Sequence, residues 1–287
     1  MKTKILVTGS NGQLGSEIHK IAGLFSELEI AFTDVAELDI TDPWKVADYL
    51  TVFKPQFLVN CAAYTAVDKA EADAETATLL NATAVHILAE QSAEIGCKMI
   101  HISTDYVFDG KGPRPYRETD PVDPQSVYGK TKLEGEILCR KFNPDSLIIR
   151  TSWLYSAFGN NFVKTMVRLG NEKPELGVIA DQIGSPTNAA DLARAILTII
   201  SSVSSGSKSF EPGTYHYSNE GVASWYDFTK AIFDIKRINC LVNPIASEDY
   251  PSPVKRPPYS VMNKSKIKLI FGLQIPYWRD SLVEYFQ

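Results

Sequence analysis

Short apolar runs recur through the first half of the chain, each followed by small or polar residues and then by a stretch with helical spacing. The runs are Lys4-Ile5-Leu6-Val7-Thr8, Glu29 to Thr33, Gln56-Phe57-Leu58-Val59-Asn60, Met99-Ile100-His101-Ile102 and Leu147-Ile148-Ile149-Arg150. A run that is apolar at consecutive positions suits a parallel strand covered on both faces, whereas a half-exposed strand would alternate. Helical segments are expected from Ser16, from Thr41-Asp42-Pro43, from Asp68 through Ala93, and around Tyr128 to Lys132. Asp42 then Pro43 is a capping residue with proline in the first turn, and Gly96 is a helix stop. This alternation predicts an α/β fold with a doubly wound parallel sheet.

After Ser152 the pattern loosens. Helices are expected from Gly159 to Leu169, over the apolar stretch Ala189 to Ile200, from Ser224 to Ile235, and in the tail from Ile275 to Phe286. Strands are expected near Val178-Ile179 and from Gly213 to Ser218. The serine-rich Ser201 to Ser209 and the proline-rich Pro251 to Pro258 read as exposed loops. The division expected is a first domain of residues 1–152 and a smaller α+β domain over 153–287, with some late segments returning to the first sheet.

Composition narrows the function classes. At 287 residues, 44% hydrophobic and 22% charged, the chain reads as an ordinary soluble globular protein. A net charge of −5 without a dense Lys/Arg run argues against a nucleic-acid binder. The longest aliphatic run, Ala195 to Ile200, is too short to span a bilayer, and no basic-then-apolar leader opens the chain. Cys61, Cys97, Cys139 and Cys240 are scattered, which suits reduced thiols in the cytoplasm. His19, His86, His101 and His216 have no metal-ligand spacing, so no metal site is expected from them.

Candidate chemistry gathers where strands would end. Gly9-Ser10-Asn11-Gly12-Gln13-Leu14-Gly15 lies between the first strand and the first helix. Glycines there allow a tight turn and a close approach to a pyrophosphate, and the helix N-terminus behind them offers free N–H groups. Asp34 follows 19 residues after Gly15, where a carboxylate can hold a ribose, and leans toward NAD over NADP. Asp39 and Ile40 suit the flank of an adenine, and Ala62-Ala63-Tyr64-Thr65 offers small residues against which a cofactor can lie. The run ending at Ile102 delivers Ser103, Thr104, Asp105 and Tyr106. Tyr128 follows 24 residues after Thr104, and Tyr128 and Lys132 share a helix face. A hydroxyl, a phenol and an ammonium suit proton transfer to a carbonyl oxygen. Taken singly, each feature has a plainer reading: a glycine turn, a surface acid, a loop, a helix-surface pair.

Taken together, Thr8 through Gly15, Ser103 through Gly110 and Tyr128-x-x-x-Lys132 resemble the extended short-chain dehydrogenases/reductases. Asn60 through Glu71, Arg150-Thr151-Ser152-Trp153, Gly159-Asn160-Asn161-Phe162, Asp181 through Thr187 and Arg256-Pro257 resemble, within them, the dTDP-4-dehydrorhamnose reductases. The resemblance implies a Rossmann-like domain that binds NADPH or NADH, and reduction of a dTDP-sugar, dTDP-4-dehydro-β-L-rhamnose. It implies Tyr128 as proton donor, Lys132 as the ribose ligand that lowers the phenol's pKa, and Thr104 as the hydroxyl beside them. Asp105 and Trp153, with Thr104, match substrate contacts; Ser10, Asn11, Gly12, Asp34, Asp39, Ile40, Ala63, Tyr64 and Thr65 match cofactor contacts. Some members dimerise through Mg2+ held by carboxylates. Here Glu17 suits one ligand, but Ala190, beside Asp191, stands where the second acid is expected, so a monomer or weak homodimer is expected. Two other readings stay open. One is a dehydratase or epimerase, against which Tyr106 stands where dehydratases carry Glu. The other is a non-catalytic cofactor-binding subunit resembling that of methionine adenosyltransferase.

Overall fold

The consecutive apolar runs become strands because both of their faces are buried. In the computed structural model, which describes residues 2–250, 252 and 254–287, the strands are β1 (Thr3–Thr8), β2 (Leu28–Thr33), β3 (Phe57–Asn60), β4 (Lys98–Thr104) and β5 (Ser146–Thr151). With Gly213–His216 they form one six-stranded parallel sheet, in the order Gly213–His216, β5, β4, β3, β1, β2. Ile5, Val7, Val59, Ile100, Leu147 and Ile149 pack on one face against α1 (Gln13–Ile21) and the helix Ala189–Ser204. Leu6, Leu58, Met99 and Ile148 pack on the other, against α2 (Pro43–Phe53) and the helix Ala84–Glu94. Each buried aliphatic side chain contributes roughly 1.5–3 kcal/mol. Neither face of these strands can therefore admit an unpaired polar group without loss.

β1 has β2 on one side and β3 on the other, so the winding direction reverses between β1 and β3. Crossover helices diverge at such a point and leave a crevice at the carboxyl ends of the strands. The expected start of α2 is present: Asp42 accepts hydrogen bonds from the backbone N–H groups of Trp44 and Lys45, with Pro43 in the first turn.

The second half of the chain does not stay apart. Besides Gly213–His216, the helix Ala189–Ser204 and the helix Ser265–Phe271 pack into the first layer through residues such as Ile196, Ile199, Ile267 and Phe271. A separate core unites the helices Phe162–Glu172, Trp225–Lys236 and Trp278–Tyr285 with the parallel pair Glu175–Ile179 and Leu241–Ile245. Tyr155, Phe228, Ile232 and Leu282 are its buried members.

Two expectations need correction, and one strand was not expected. Asp68 to Ala93 is not one helix: Val67–Ala70, Ala74–Thr78, a π-helical turn at Leu79–Thr83 and Ala84–Glu94 follow one another. The helix restarts after Asp73, and within the π-helical turn the Asn81 side chain bonds to Tyr64. Ser201 to Ser204 belong to the long helix rather than to a loop, since the helix ends only where Ser205 N–H bonds Ser201 O. The strand Leu241–Ile245 was hidden by Pro244; paired on one side only, it can omit that N–H. Pro251 and Pro253 of the expected proline-rich loop lie outside the described residues.

Candidate active site

The chain leaves β1 through Gly9 at φ +66°. A Cβ there would lie 2.5 Å from the Ala62 nitrogen, and one on Gly15 would lie 2.4 Å from the Gly9 oxygen. The two glycines thus let the turn, the start of α1 and the end of β3 meet without side chains between them. No side chain caps α1 at Gly12, so its first N–H groups stay open to an anion. Asp34, at the end of β2, accepts the Asn11 N–H at 2.9 Å and the Val35 N–H at 2.9 Å. Together these groups wall a cavity of about 460 Å³, with Asp39, Ile40, Ala62 and Ala63 opposite. Asp39 also holds its own turn: its Oδ1 accepts from the Thr41 N–H and hydroxyl, which keeps it below the usual carboxylate range.

A second cavity of about 570 Å³ adjoins the first, sharing Gly12, Cys61 and Ala63 with it. Gln13, Leu14 and Thr65 line its cofactor side; Thr104, Asp105, Tyr128, Lys132 and Trp153 converge on the rest. Three of the expected residues line neither cavity. Ser10 is buried and donates its N–H to Thr33 O, Gly15 packs under Gly9, and Tyr64 is fixed by its backbone. Asn81 clamps that backbone, its Oδ1 accepting the Tyr64 N–H at 2.9 Å and its Nδ2 donating to Tyr64 O at 3.1 Å.

The helix Val127–Phe142 begins on Ser126, whose hydroxyl accepts the Gly129 N–H, and it carries Tyr128 and Lys132 into the second cavity. Burial pushes the Tyr128 phenol up to about 12; hydrogen bonding with Thr104 draws it down and the Asp105 carboxylate raises it. Burial likewise pushes Asp105 up to about 6, against hydrogen bonds from Thr104 and Ser260. Burial pushes Lys132 down to about 8, opposed chiefly by Glu136. The lysine has a backbone partner of its own. Its Nζ is turned away to donate to Ile102 O at 2.7 Å.

Trp153 walls the far side of the cavity from a left-handed backbone, φ +49°. Its indole stacks on Trp225 with ring centroids 3.5 Å apart and planes within 8°. A bulky residue in that conformation is strained, and the stack is one of the contacts that holds it.

Comparison with known proteins decides the family. The profile described as RmlD substrate binding domain matches residues 3–287. A dTDP-4-dehydrorhamnose reductase of Aggregatibacter actinomycetemcomitans is 42% identical, over 97% of this chain and 97% of the relative. The chain belongs to the dTDP-4-dehydrorhamnose reductase family. Two solved members superpose closely. A reductase of Clostridium acetobutylicum is 45% identical with TM-score 0.93, over 99% of this chain and 98% of that one. A reductase of Bacillus anthracis, in complex with NADP, is 39% identical with TM-score 0.94, over 100% and 99%.

Glu17, the expected metal ligand, and Asp191 both have partners within the chain. Glu17 is 2% exposed, and one of its oxygens accepts the Ser156 hydroxyl at 2.7 Å. Its other oxygen has no hydrogen-bond partner. Asp191 is taken by Asn219 and Ser281, each at 2.6 Å. Among the described residues no three metal-ligating side chains converge.

Sequence reasoning missed several residues of this site. Gly159 and Asn160 line the second cavity, though they had counted only toward the resemblance. Asn81 and Trp225 act from behind, and each sits in a helical stretch whose sequence marks only spacing, not what its side chain will meet.

Proposed function

We propose that the chain reduces dTDP-4-dehydro-β-L-rhamnose to dTDP-β-L-rhamnose with NADH or NADPH, the last step toward the activated rhamnose of surface polysaccharide. The observation that carries this reading is the convergence of Thr104, Tyr128 and Lys132 on a cavity continuous with a dinucleotide-shaped one. The first cavity fits an adenosine diphosphate, with Asp34 at the ribose and the start of α1 at the pyrophosphate. When bound, the nicotinamide supplies the hydride that reduces the keto carbon. Tyr128, fully protonated at neutral pH, donates its proton to the keto oxygen as negative charge develops there. Thr104, whose hydroxyl donates to Asp105 Oδ1 at 3.0 Å without substrate, turns it to the same oxygen and steadies it. Lys132 rotates from Ile102 O to the nicotinamide ribose, and its ammonium then stabilises the phenolate that proton donation leaves. Trp153 and Asp105 orient the sugar, and Leu154, Gly159 and Asn160 join Trp153 as the part of the wall that residues 153–287 contribute.

Dehydration is disfavoured because Tyr106, edge-on to Tyr128 at 5.5 Å, occupies the place where a second carboxylate is needed. The same reading makes the enzyme cytoplasmic, with free thiols at all four cysteines, and a monomer or weak homodimer. No helix of the described residues is long and apolar enough to cross a membrane.

The test is NADH and NADPH consumption with enzymatically generated dTDP-4-dehydro-β-L-rhamnose. Tyr128→Phe should lower kcat by about a hundredfold to ten-thousandfold while leaving cofactor affinity unchanged. Lys132→Ala should weaken both. A Tyr128→Phe variant with most of its rate would remove the assigned proton donor. No turnover by the wild type, with NADPH still bound, would favour another nucleotide sugar or a non-catalytic subunit.

A further inference from the structure

A buried polar chain runs beneath the crevice and ends on Lys132, and its members before the lysine have no part in the hydride or proton transfer above. The Thr8 hydroxyl donates to Asn60 Oδ1 at 2.8 Å, and the Ala62 N–H donates to the same oxygen at 3.1 Å. Asn60 Nδ2 lies 3.2 Å from His101 Nδ1, and His101 Nε2 lies 3.5 Å from Lys132 Nζ. Thr8, Asn60, His101 and Lys132 are all at most 2% exposed, so water does not satisfy them.

The chain fixes a tautomer. A backbone N–H can only donate, so the Asn60 oxygen must face Ala62 and its amide NH2 must face His101. His101 Nδ1 is then an acceptor. Burial and the nearby Lys132 hold the imidazole neutral, well below its ordinary pKa. Its one proton therefore sits on Nε2 and points at Lys132. An N–H cannot accept from an ammonium, but it can donate to the lone pair of an amine. The neutral amine keeps two N–H groups, and one of them serves Ile102 O at 2.7 Å.

We propose that His101, oriented by Asn60, is a positioning residue whose Nε2–H lowers the proton affinity of Lys132 in the cofactor-free enzyme, so that cofactor binding is coupled to proton uptake by the lysine. The proton comes from solvent and adds to Nζ as the amine leaves His101 for the ribose hydroxyls and the anionic cofactor. The other groups around Lys132 set the starting point. Tyr128, Glu136 and Cys139 face it from its own helix, Cys61 from the end of β3 and His101 from β4. Glu136, its nearest carboxylate, is neutralised by Arg150 from β5 at 2.7 Å. This inference rests on Lys132 being the ribose ligand.

The experiment is calorimetry of NADH binding to the full chain between pH 7 and 9.5, in buffers of differing ionisation enthalpy, which reads protons taken up per site. Wild type should take up about half a proton near pH 8, where the lysine titrates. His101→Met, which keeps bulk but has no N–H, should move that midpoint to higher pH, so that uptake near pH 8 falls at least threefold. Tyr128→Phe should leave it unmoved, which separates the lysine from the phenol. Uptake that is absent in wild type, or unmoved in a folded His101→Met, would overturn the proposal. Nitrogen NMR of wild type labelled at histidine reads the tautomer without any variant, and a proton on Nδ1 of His101 would equally overturn it. Failure to bind NADH at all would instead sink the assignment of the site.

Discussion

A phosphate on the adenosine 2′ position would have to enter the first cavity beside Asp34. That cavity's lining has no lysine or arginine. Glu37 accepts the Asp34 N–H at 2.9 Å, which puts a second carboxylate beside that residue. A phosphate of charge about −2 placed roughly 5 Å from one carboxylate is repelled by about 1.7 kcal/mol even at the dielectric constant of water. Salt screening reduces this, and the second carboxylate adds to it. The result is a preference for NADH over NADPH of about 2 kcal/mol, or roughly thirtyfold in Kd. Asp34→Asn keeps an acceptor for the Asn11 N–H and removes the charge, so the preference should fall below about fivefold. Fluorescence titration of both cofactors with both proteins, at low and high salt, measures this directly. Equal affinities in wild type, or a preference that survives both the substitution and high salt, would refute the electrostatic argument. A relative solved with NADP makes that outcome a real one.

Other perturbations read other parts of the site. Glu136→Gln leaves Arg150 buried without its counter-charge, so urea unfolding should report a loss of roughly 3–5 kcal/mol; a loss under 1 kcal/mol would mean that the pair is open to water. Gly9→Ala forces a Cβ to within 2.5 Å of the Ala62 nitrogen at φ +66°, and should weaken cofactor binding at least tenfold while lowering Tm; unchanged affinity would show that the turn is not packed this closely. Asp105 has its pKa raised in the folded state to about 6, so its protonated form is favoured by folding. Its contribution is fully present below pH 4 and is lost as pH rises through 6, a difference of roughly 3 kcal/mol. Asp105→Asn should abolish that slope relative to wild type, and parallel stability curves between pH 4 and 7 would contradict the assignment.

The strands were legible because they are short runs apolar at consecutive positions, as Leu58-Val59 and Ile148-Ile149 show, and recur between helical segments. Asp42 and Gly9 were legible because their demands are local: a cap and a left-handed turn. What escaped depends on partners distant in sequence. Asn81 gave no hint that it clamps Tyr64, nor Trp225 that it backs Trp153, because a single polar or aromatic residue in a helix has no periodicity to betray its target. The direction of Lys132 also escaped, since spacing puts it on the face of Tyr128 but does not say which oxygen it reaches. The chemistry of Thr104 and Trp153 came from the resemblance rather than from pattern.

The sixth strand of the sheet, Gly213–His216, lies against β5 although the helices Phe162–Glu172 and Ala189–Ser204 and the strand Glu175–Ile179 intervene in the chain. During synthesis, β5 therefore leaves the ribosome with a row of unpaired N–H and C=O groups. It keeps that open edge while the helix Phe162–Glu172 and everything up to Gly213 is made. An apolar strand with an open edge is a template for pairing with another nascent chain. A premature stop just after Thr151 would thus release not a tidy cofactor-binding fragment but a sheet with an adhesive side. The late strand is what covers the edge of β5.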